Sequence, residues 1–402
     1  MNRKSLILLL LLPASLAAQD SGAPTAWNPG YPQQGLKNAA TFIAGFKQKA
    51  QHLGNEGKLR IMIIGDSLSD GSYHWSHHFR KDLQAAYGNG GPGAVWSTFA
   101  GDSPAHGTVP GWLWSEQDFI SYQGPMGRWR NGWGSRGDIW PYLGWNGNFL
   151  TTADPRSSYA LIGHGSKFTV VYSTGTFTTY DGEPIENRSA GFTASLDDQP
   201  QLIAPAAANA PLDVGLAKFT APDRRHMLRI DKIHGGDLWL HGVIVENSAP
   251  GVVVYNISRG GYWAHDFVWR QPGWEKILQE FQPDYTIVFL TKPESGGSGP
   301  VDNTDRLYEY GRLMERVGRA VPATQFMFFM CWDPRDGISA ADAQTWRERK
   351  AWFEAKRLPY LDLEAGLDSP KMKALGWFND NIHLTPAGGQ EIGKAIARLF
   401  LP

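Results

Sequence analysis

One serine in the chain stands at a position suited to a nucleophile. The segment Leu59–Gly71, LRIMIIGDSLSDG, is an apolar run that ends in Gly65-Asp66-Ser67 and a small polar turn. Such a run predicts a buried parallel strand, and a serine at its end lies at the sheet edge where open α/β folds bind ligands. Gly65 lets the backbone turn sharply there. Because a serine hydroxyl is a weak nucleophile, it needs a base and hydrogen-bond donors for an oxyanion.

A base for this serine is found near the other end of the chain. Asp380 and His383 lie three residues apart in the polar segment WFNDNIHLTPAGGQ, which precedes a helix-like run. The imidazole can take the serine proton, and the carboxylate can fix its tautomer and stabilise the imidazolium. With Thr385 as N-cap and Pro386 as first helical residue, the pair is predicted in the loop that leads into the last helix.

These two segments together resemble the GDSL, or SGNH, hydrolases: GDSLSDG comes early and DNIHLTPAG comes late. The resemblance implies a three-layer α/β/α fold with a flavodoxin-like parallel sheet, Ser67 as nucleophile, His383 as base and Asp380 as its partner. The alternative interpretation gives these residues no catalytic role. Ser67 is then a turn residue, His383 a capping or surface histidine, and Asp380 an acid favoured at the helix entry by the helix dipole. A second GDS at 101–103 has no apolar strand before it and a proline after it, so we interpret it as a loop.

Donors for the oxyanion are predicted from backbone amides. The Ser67 amide is one candidate. The segment NISRGG at 256–261 follows a strand and resembles the family's second sequence block, in which a glycine donates its N–H. Spacing from Asn256 favours Gly261, with Gly260 next; the alternative is a plain strand-to-helix turn.

The third sequence block departs from the family's pattern. There the family has Gly-x-Asn, and the asparagine side chain donates to the oxyanion. In this chain PDYTIVFL runs into TKPESGG, and Pro293 stands at the position expected for the asparagine. Since proline donates nothing, either Thr291 or an amide of the glycine-rich loop substitutes, or the enzyme is slow, or its chemistry has changed towards acyl transfer.

Composition excludes several classes of protein. A net charge of −1 over 402 residues argues against a nucleic-acid or polyanion binder. The one cysteine, Cys331, excludes an intramolecular disulfide and lies in the apolar run QFMFFMCW, which predicts a buried thiol. The eleven histidines lack metal-ligand spacing such as HExxH. We therefore expect neither a metal nor another cofactor.

The N-terminus predicts export. Residues 1–18 have a basic start, an apolar core and small residues at the end, which is typical of a secretory signal peptide cleaved near Ala17 or Ala18. A flexible lead-in follows at 19–37. No later apolar run is long enough to span a bilayer, so we expect a periplasmic or extracellular bacterial protein without a transmembrane segment in the mature chain.

The rest of the chain predicts one α/β domain that is interrupted once. Alternating strand and helix patterns at 38–87 and 251–402 predict a hydrolase domain with a parallel sheet. The insertion at 88–250 begins with a Trp- and Gly-rich segment, and a β-sandwich is predicted at about 150–250 from short alternating runs. Those runs are Lys167–Tyr172, Gly191–Leu196, Leu216–Thr220, His226–Ile230 and Asp237–Glu246.

The last of these runs, DLWLHGVIVE, has a clear inward face. Its alternation is interrupted at Gly242, which is a candidate bulge. The predicted inward residues are Leu238, Leu240, Val243 and Val245.

This layout is similar to that of peptidoglycan O-acetylesterases and related polysaccharide deacetylases with a carbohydrate-module-like insertion. The resemblance implies a secreted serine esterase whose substrate is an O-acetylated glycan or another acyl ester. The alternatives are a glycan-binding protein with a weak or inactive hydrolase domain, a lipase or thioesterase, and an acetyltransferase with the same triad. We interpret the tryptophans of the insertion as core residues. Any tryptophan that is exposed would instead suit stacking on the face of a sugar.

Overall fold

A computed structural model describes most of the chain. The described residues are 25–54, 57–70, 74–96, 107–110, 119–123, 130–133, 148–178, 184–187, 190–207, 210–268, 273–290, 303–332, 340–380 and 382–402. The predicted signal peptide at 1–18, the second GDS at 101–103 and the loop that holds Thr291 and Pro293 lie outside them. Within the described ranges, no helix is long and apolar enough to cross a membrane.

The elements alternate between strand and helix at both ends of the chain and are strands in the middle. The first are β1 (Leu36–Lys37), α1 (Ala40–Gln51), β2 (Lys58–Gly65) and α2 (Trp75–Tyr87). The middle has β3 (Gly93–Trp96), β4 (Gly107–Pro110), β5 (Phe119–Gln123), β6 (Arg130–Trp133), β7 (Asn148–Thr152), β8 (Ser158–Thr174), β9 (Thr176–Thr178), β10 (Pro184–Asn187), β11 (Gly191–Leu196), β12 (Gln199–Ile203), β13 (Asp213–His234) and β14 (Leu238–Glu246). The last are β15 (Gly251–Asn256), α3 (Ala264–Val268), α4 (Trp274–Phe281), β16 (Tyr285–Phe289), α5 (Asn303–Ala320), β17 (Gln325–Met330), α6 (Ala340–Ala355), β18 (Tyr360–Asp362), α7 (Ser369–Ala374) and α8 (Pro386–Phe400).

Six strands form a sheet in the order β1-β18-β17-β16-β2-β15. β2 pairs in parallel with β15 and β16, so the predicted nucleophile strand lies inside the sheet. Tyr285 on one face of β16 packs against Phe42 and Phe46 of α1, which also contact Phe400 of α8. On the opposite face, Phe328 of β17 packs against Phe353 of α6. Helices therefore cover both faces, which confirms the predicted three-layer α/β/α fold.

A second sheet of ten strands is antiparallel and lies between β2 and β15 in the sequence. Its longest strands, β8 and β13, pair along most of their length. The first half of β8 pairs on its other side with β5 and the second half with β14, so the two halves have different neighbours. Side chains from both halves nevertheless share one core, which includes Leu161, Phe168, Phe192, Leu228 and Val243. The exact boundaries of the insertion stay a prediction.

Strand β14 is buried along its whole length because its two faces pack against different cores. The predicted inward residues Leu238, Leu240, Val243 and Val245 all lie in the core of the antiparallel sheet, which confirms that face. On the other face, Ile244 joins the main core of the α/β layers. The register with β8 shifts between Leu240 and Gly242, and Gly242 has φ +145°, which confirms the predicted bulge.

A charged cluster joins the two sheets at the end of β14. The Arg60 guanidinium on β2 donates two parallel hydrogen bonds, both 3.0 Å, to the carboxylate of Glu246. The Tyr255 hydroxyl on β15 donates to the same carboxylate. Burial raises the pKa of Glu246, but the hydrogen bonds and charge of Arg60 outweigh that effect and hold the pKa below its usual range. The cluster therefore holds an ionised carboxylate at the junction.

Replacing Arg60 by alanine leaves the Glu246 carboxylate mostly buried without its cation. We expect the free energy of unfolding, measured by urea denaturation at neutral pH, to fall by about 2–3 kcal/mol. This loss of stability is small for a buried ion pair, because the Arg60 side chain is 26% exposed to solvent. Arg319→Ala is the control, since its pair with Glu315 is exposed and should change stability by less than about 0.5 kcal/mol.

The same pair gives a pH dependence with a definite sign. A carboxyl whose folded-state pKa is lowered stabilises the fold above its unfolded-state pKa and loses that contribution as the pH falls through the folded-state value. The stability difference between wild type and Arg60→Ala should therefore shrink as the pH is lowered towards 3. A difference that stays constant from pH 7 to pH 3 contradicts this role for Glu246.

Candidate active site

Ser67 lies in a tight turn directly after β2. The Asp66 carboxylate accepts the Leu68 N–H at 3.0 Å, and the Asp66 carbonyl accepts the Ser69 N–H at 3.0 Å. Gly65 is required here by close approach, because a Cβ would lie 2.7 Å from the Ser258 hydroxyl oxygen and 2.8 Å from the Ser69 Cβ. The neighbouring loop therefore packs directly against the serine turn.

The structure brings the three predicted residues Ser67, His383 and Asp380 together. His383 Nε2 lies 2.7 Å from Ser67 Oγ, and His383 Nδ1 lies 2.6 Å from Asp380 Oδ2. An ionised carboxylate can only accept, so Nδ1 carries the proton and Nε2 is free to accept the Ser67 hydroxyl proton. Residues 316 positions apart thus form one continuous chain of hydrogen bonds from carboxylate to hydroxyl.

The other oxygen of Asp380 fixes the carboxylate in place. Asp380 Oδ1 accepts the N–H of Ile382 at 2.9 Å and that of His383 at 2.8 Å. Burial alone raises the pKa of Asp380, but these two amides and the imidazole together lower it below its usual value. The carboxylate therefore stays ionised, as stabilisation of an imidazolium requires.

The turn that carries His383 is anchored by the start of α8. Thr385 is its N-cap, with its side chain accepting the Gly388 N–H at 3.3 Å, and Pro386 is the first helical residue, which confirms both predictions. The Asn379 side chain donates to the Leu384 carbonyl at 2.9 Å, and the Asn379 N–H donates to the His383 carbonyl at 2.8 Å. These bonds fix the backbone of the turn on both sides of the His383 side chain.

A buried tryptophan, which the sequence analysis missed, also holds this turn. Trp332 follows β17, is fully buried and packs against Phe289. Its indole N–H donates to the Ile382 carbonyl at 3.2 Å. The carbonyl belongs to the residue directly before His383, so this bond couples the parallel sheet to the predicted base.

The loop at 256–261 lies beside the serine turn. The Asn256 side chain donates to the Ser69 carbonyl at 2.6 Å, and its oxygen accepts the Ser258 N–H at 3.0 Å. A Cβ built on Gly260 would lie 3.4 Å from the Ser67 Cβ, which places this loop within reach of a substrate bound at Ser67. Gly261 has φ +76°, a conformation that favours glycine.

The two candidate glycine amides have different surroundings. The Gly260 N–H donates to Asp70 Oδ2 at 2.6 Å. A Cβ built on Gly261 meets no atom within 4 Å, so the space on that side of the residue is open. The third candidate, Thr291, lies outside the described residues.

Burial sets the charge state of a neighbouring histidine. His74 precedes α2 and is 2% exposed. Burial, with a smaller contribution from the charge of His383, lowers the pKa of His74 to about 3. It is therefore neutral at physiological pH and adds no positive charge to the site. Among the described residues, no group of three or more His, Cys, Asp or Glu side chains could hold a metal ion.

Comparison with known proteins identifies the fold. No family model and no curated protein sequence matches the chain. A solved structure described as a peptidoglycan O-acetylesterase in action is similar, with a TM-score of 0.65 and 16% identity over 90% of this chain and 95% of that one. Similarity of this extent shows that the two chains share one fold and confirms the predicted fold-level resemblance.

Two further solved structures are similar at a lower level. A family two carbohydrate esterase from Cellvibrio japonicus is 11% identical, with a TM-score of 0.26 over 70% of this chain and 97% of that one. A GDSL-like lipase from Parabacteroides merdae is 19% identical, with a TM-score of 0.31 over 38% of this chain and 73% of that one.

Removing the indole N–H of Trp332 should misplace the imidazole while keeping most of the packing. We expect Trp332→Phe to slow the labelling of Ser67 by a serine-directed organophosphonate by roughly tenfold, because small displacements of reacting groups cost rate steeply. The matched control is Trp274→Phe, since Trp274 is equally buried and its indole N–H makes no hydrogen bond to any described residue. Equal labelling rates in the two variants contradict the positioning role.

Proposed function

We propose that the chain is an exported serine esterase that removes O-acetyl groups from a glycan, with peptidoglycan as the candidate substrate. The observation that carries the proposal is the hydrogen-bonded series Ser67–His383–Asp380, with 2.7 Å and 2.6 Å between successive side chains. Its order and geometry are those required for nucleophilic attack on an ester. The fold shared with a peptidoglycan O-acetylesterase supports the same reaction class.

In the first half of the reaction, Ser67 Oγ attacks the acetyl carbonyl carbon and its proton passes to His383 Nε2. The carbonyl oxygen becomes an oxyanion, which the N–H groups of Ser67 and Gly261 are proposed to bind. His383 then returns the proton to the sugar oxygen as the C–O bond breaks. The sugar leaves with a free hydroxyl, and the acetyl group stays on Ser67.

In the second half, water replaces the sugar. His383 Nε2 takes a proton from the water as its oxygen attacks the acetyl-enzyme carbonyl, and the same oxyanion site is used again. Collapse of the intermediate returns the proton to Ser67 Oγ and releases acetate. Asp380 keeps the imidazole in one tautomer throughout and stabilises its charged form. The cycle consumes water and needs no redox group.

The substrate class is proposed on two grounds. The structure with which this chain shares its fold is described as a peptidoglycan O-acetylesterase, and the similarity covers 90% of this chain. The apolar leader at 1–18 would take the protein out of the cytoplasm, to the compartment where cell-wall glycans are found.

The test is acetate release from an acetylated aryl ester and from O-acetylated peptidoglycan. We expect Ser67→Ala and His383→Ala each to lose at least about 10³-fold in kcat/KM. His52→Ala is the matched control, because His52 is exposed at the end of α1 and away from the triad. Wild-type activity no greater than that of the two variants removes the triad from its proposed role.

A second candidate function is glycan binding without turnover. The observation that favours it is Pro293, which stands where the resembled family has an oxyanion-donating asparagine. Loss of one such donor costs roughly 10²–10³-fold in rate. Tight binding of O-acetylated peptidoglycan by wild type with no acetate released favours this function over the esterase. Acetyl transfer to an added sugar acceptor, with little free acetate, identifies a transferase instead.

Acyl-chain length separates the glycan deacetylase from a lipase or thioesterase with the same triad. We expect kcat/KM on aryl esters to fall by at least about tenfold from acetyl to octanoyl, because a site for acetyl needs no long apolar groove. The ratio between two esters is measured on one enzyme preparation, so partial inactivation does not affect it. A higher kcat/KM for octanoyl overturns the proposed acetyl specificity and favours a lipid substrate.

A further inference from the structure

One acidic side chain in the serine turn has no role in the mechanism above. Asp70 lies three residues after Ser67, and its carboxylate is half-buried at the meeting point of two loops. It accepts the Gly260 N–H at 2.6 Å, a bond between residues 190 positions apart. Because the acceptor is a carboxyl group and the bond is short, this is among the stronger backbone hydrogen bonds that a side chain makes.

This bond bears on which amide can reach the oxyanion. An N–H donates along one direction, so the Gly260 amide that points at Asp70 does not also point at a substrate oxygen. The next amide in the loop belongs to Gly261, around which a Cβ would meet nothing within 4 Å. The loop as a whole is close enough to act, since Gly260 packs against Ser67.

We infer that Asp70 is a positioning residue that holds the Gly260 N–H and thereby directs the Gly261 N–H to the oxyanion. The inference rests on the proposed esterase function and adds a residue to it. Asp70 does not touch the reacting atoms; it acts through the loop. The turn after β2 therefore contains both the proposed nucleophile, Ser67, and the side chain that positions the Gly261 N–H.

Charges on three elements act on this carboxyl. Burial raises the pKa of Asp70 to about 6, while the Gly260 N–H lowers it in part. Arg259 on the neighbouring loop and His383 on the C-terminal turn favour the ionised form, and Asp66 in the same turn opposes it. Protonation below about pH 6 weakens the bond to Gly260, because a neutral carboxyl is a poorer acceptor than a carboxylate.

The test compares Asp70→Asn with Asp70→Ala. The asparagine keeps an oxygen that can accept the Gly260 N–H, whereas the alanine leaves that amide unpaired. With the acetylated aryl ester at neutral pH, we expect Asp70→Ala to lose roughly 10²-fold in kcat with little change in KM, similar to the loss of one oxyanion donor. Asp70→Asn should lose only about tenfold, because an amide oxygen still accepts the Gly260 N–H but is a weaker acceptor than a carboxylate. Asp198→Ala, at an exposed aspartate in the turn after β11, is the control.

The pH profile gives a readout that a merely structural role does not move. The asparagine is a neutral acceptor at every pH, whereas the Asp70 carboxylate becomes neutral below about pH 6. The ratio of kcat in wild type to kcat in Asp70→Asn should therefore fall from about tenfold at pH 8 towards one at pH 5. If Asp70→Ala fails to fold, this comparison still decides, and a ratio that is the same at both pH values overturns the inference.

Two other outcomes also overturn it. Asp70→Ala as active as wild type shows that the Gly260 bond is dispensable, and Asp70→Asn as impaired as Asp70→Ala shows that the charge matters and the acceptor does not. If wild type itself releases no acetate, the esterase proposal fails separately. Organophosphonate labelling of Ser67 then tests Asp70, since the phosphonyl oxygen needs the same donor: slower labelling in Asp70→Ala than in Asp70→Asn supports the inference, and equal rates reject it.

Discussion

The parallel pairing of β2 with β15 is the constraint on which the candidate site depends. The ladder does not stop at the strand ends: the Ile257 N–H donates to the Ile63 carbonyl and the Arg259 N–H to the Gly65 carbonyl, both at 2.9 Å. These bonds carry the second loop alongside the serine turn up to Ser67. Whatever fixes the register of these two strands therefore also sets the distance between Ser67 and the amides of Gly260 and Gly261.

The register of β2 and β15 is kept although the whole antiparallel sheet lies between these two strands in the sequence. The segment that forms the antiparallel sheet begins and ends at adjacent points of the α/β core. There the Val252 N–H donates to the Gly88 carbonyl at 2.9 Å, and the Gly90 N–H donates to the Val252 carbonyl at 3.0 Å. Glycine is needed at this crossing, since a Cβ on Gly251 would lie 2.3 Å from the Gly88 carbonyl oxygen. The ion pair of Arg60 and Glu246 also joins β2 to β14, the last strand of the antiparallel sheet in the sequence. The antiparallel sheet is thus held against the α/β core. The candidate site lies at the ends of β2 and β15, the two strands that flank the antiparallel sheet in the sequence.

The residues that could be predicted from the sequence are those whose roles depend on local patterns. Ser67 after an apolar run, Asp380 and His383 before a capped helix, and the inward face of β14 all follow from spacing within a few residues. The runs Leu216–Thr220 and His226–Ile230 were predicted as separate elements but are parts of one 22-residue strand, β13. The stretch between them contains Pro222 and a register shift, and both interrupt the alternation without ending the strand.

What could not be predicted depends on contacts between distant parts of the chain. The second buried face of β14 exists because the α/β core covers it, and no periodicity within the strand encodes that neighbour. The indole N–H of Trp332 and the carboxylate of Asp70 each find a backbone partner on another element, 50 and 190 positions away. A sequence pattern gives the type of these side chains but not their partners.

In the part of the chain that the structure describes, the candidate site consists of two units joined by the hydrogen bond between Ser67 and His383. The serine turn and the 256–261 loop are joined by Asn256, Asp70 and the extended ladder, so Ser67 and the proposed oxyanion donors are held by the same set of hydrogen bonds. The imidazole and its carboxylate form the other unit, held by the α8 N-terminus and by Trp332. The two acids show the difference in environment: backbone amides lower the pKa of Asp380, whereas burial raises that of Asp70. The proposed proton transfer from Ser67 to His383 crosses from one unit to the other, over the 2.7 Å between Ser67 Oγ and His383 Nε2.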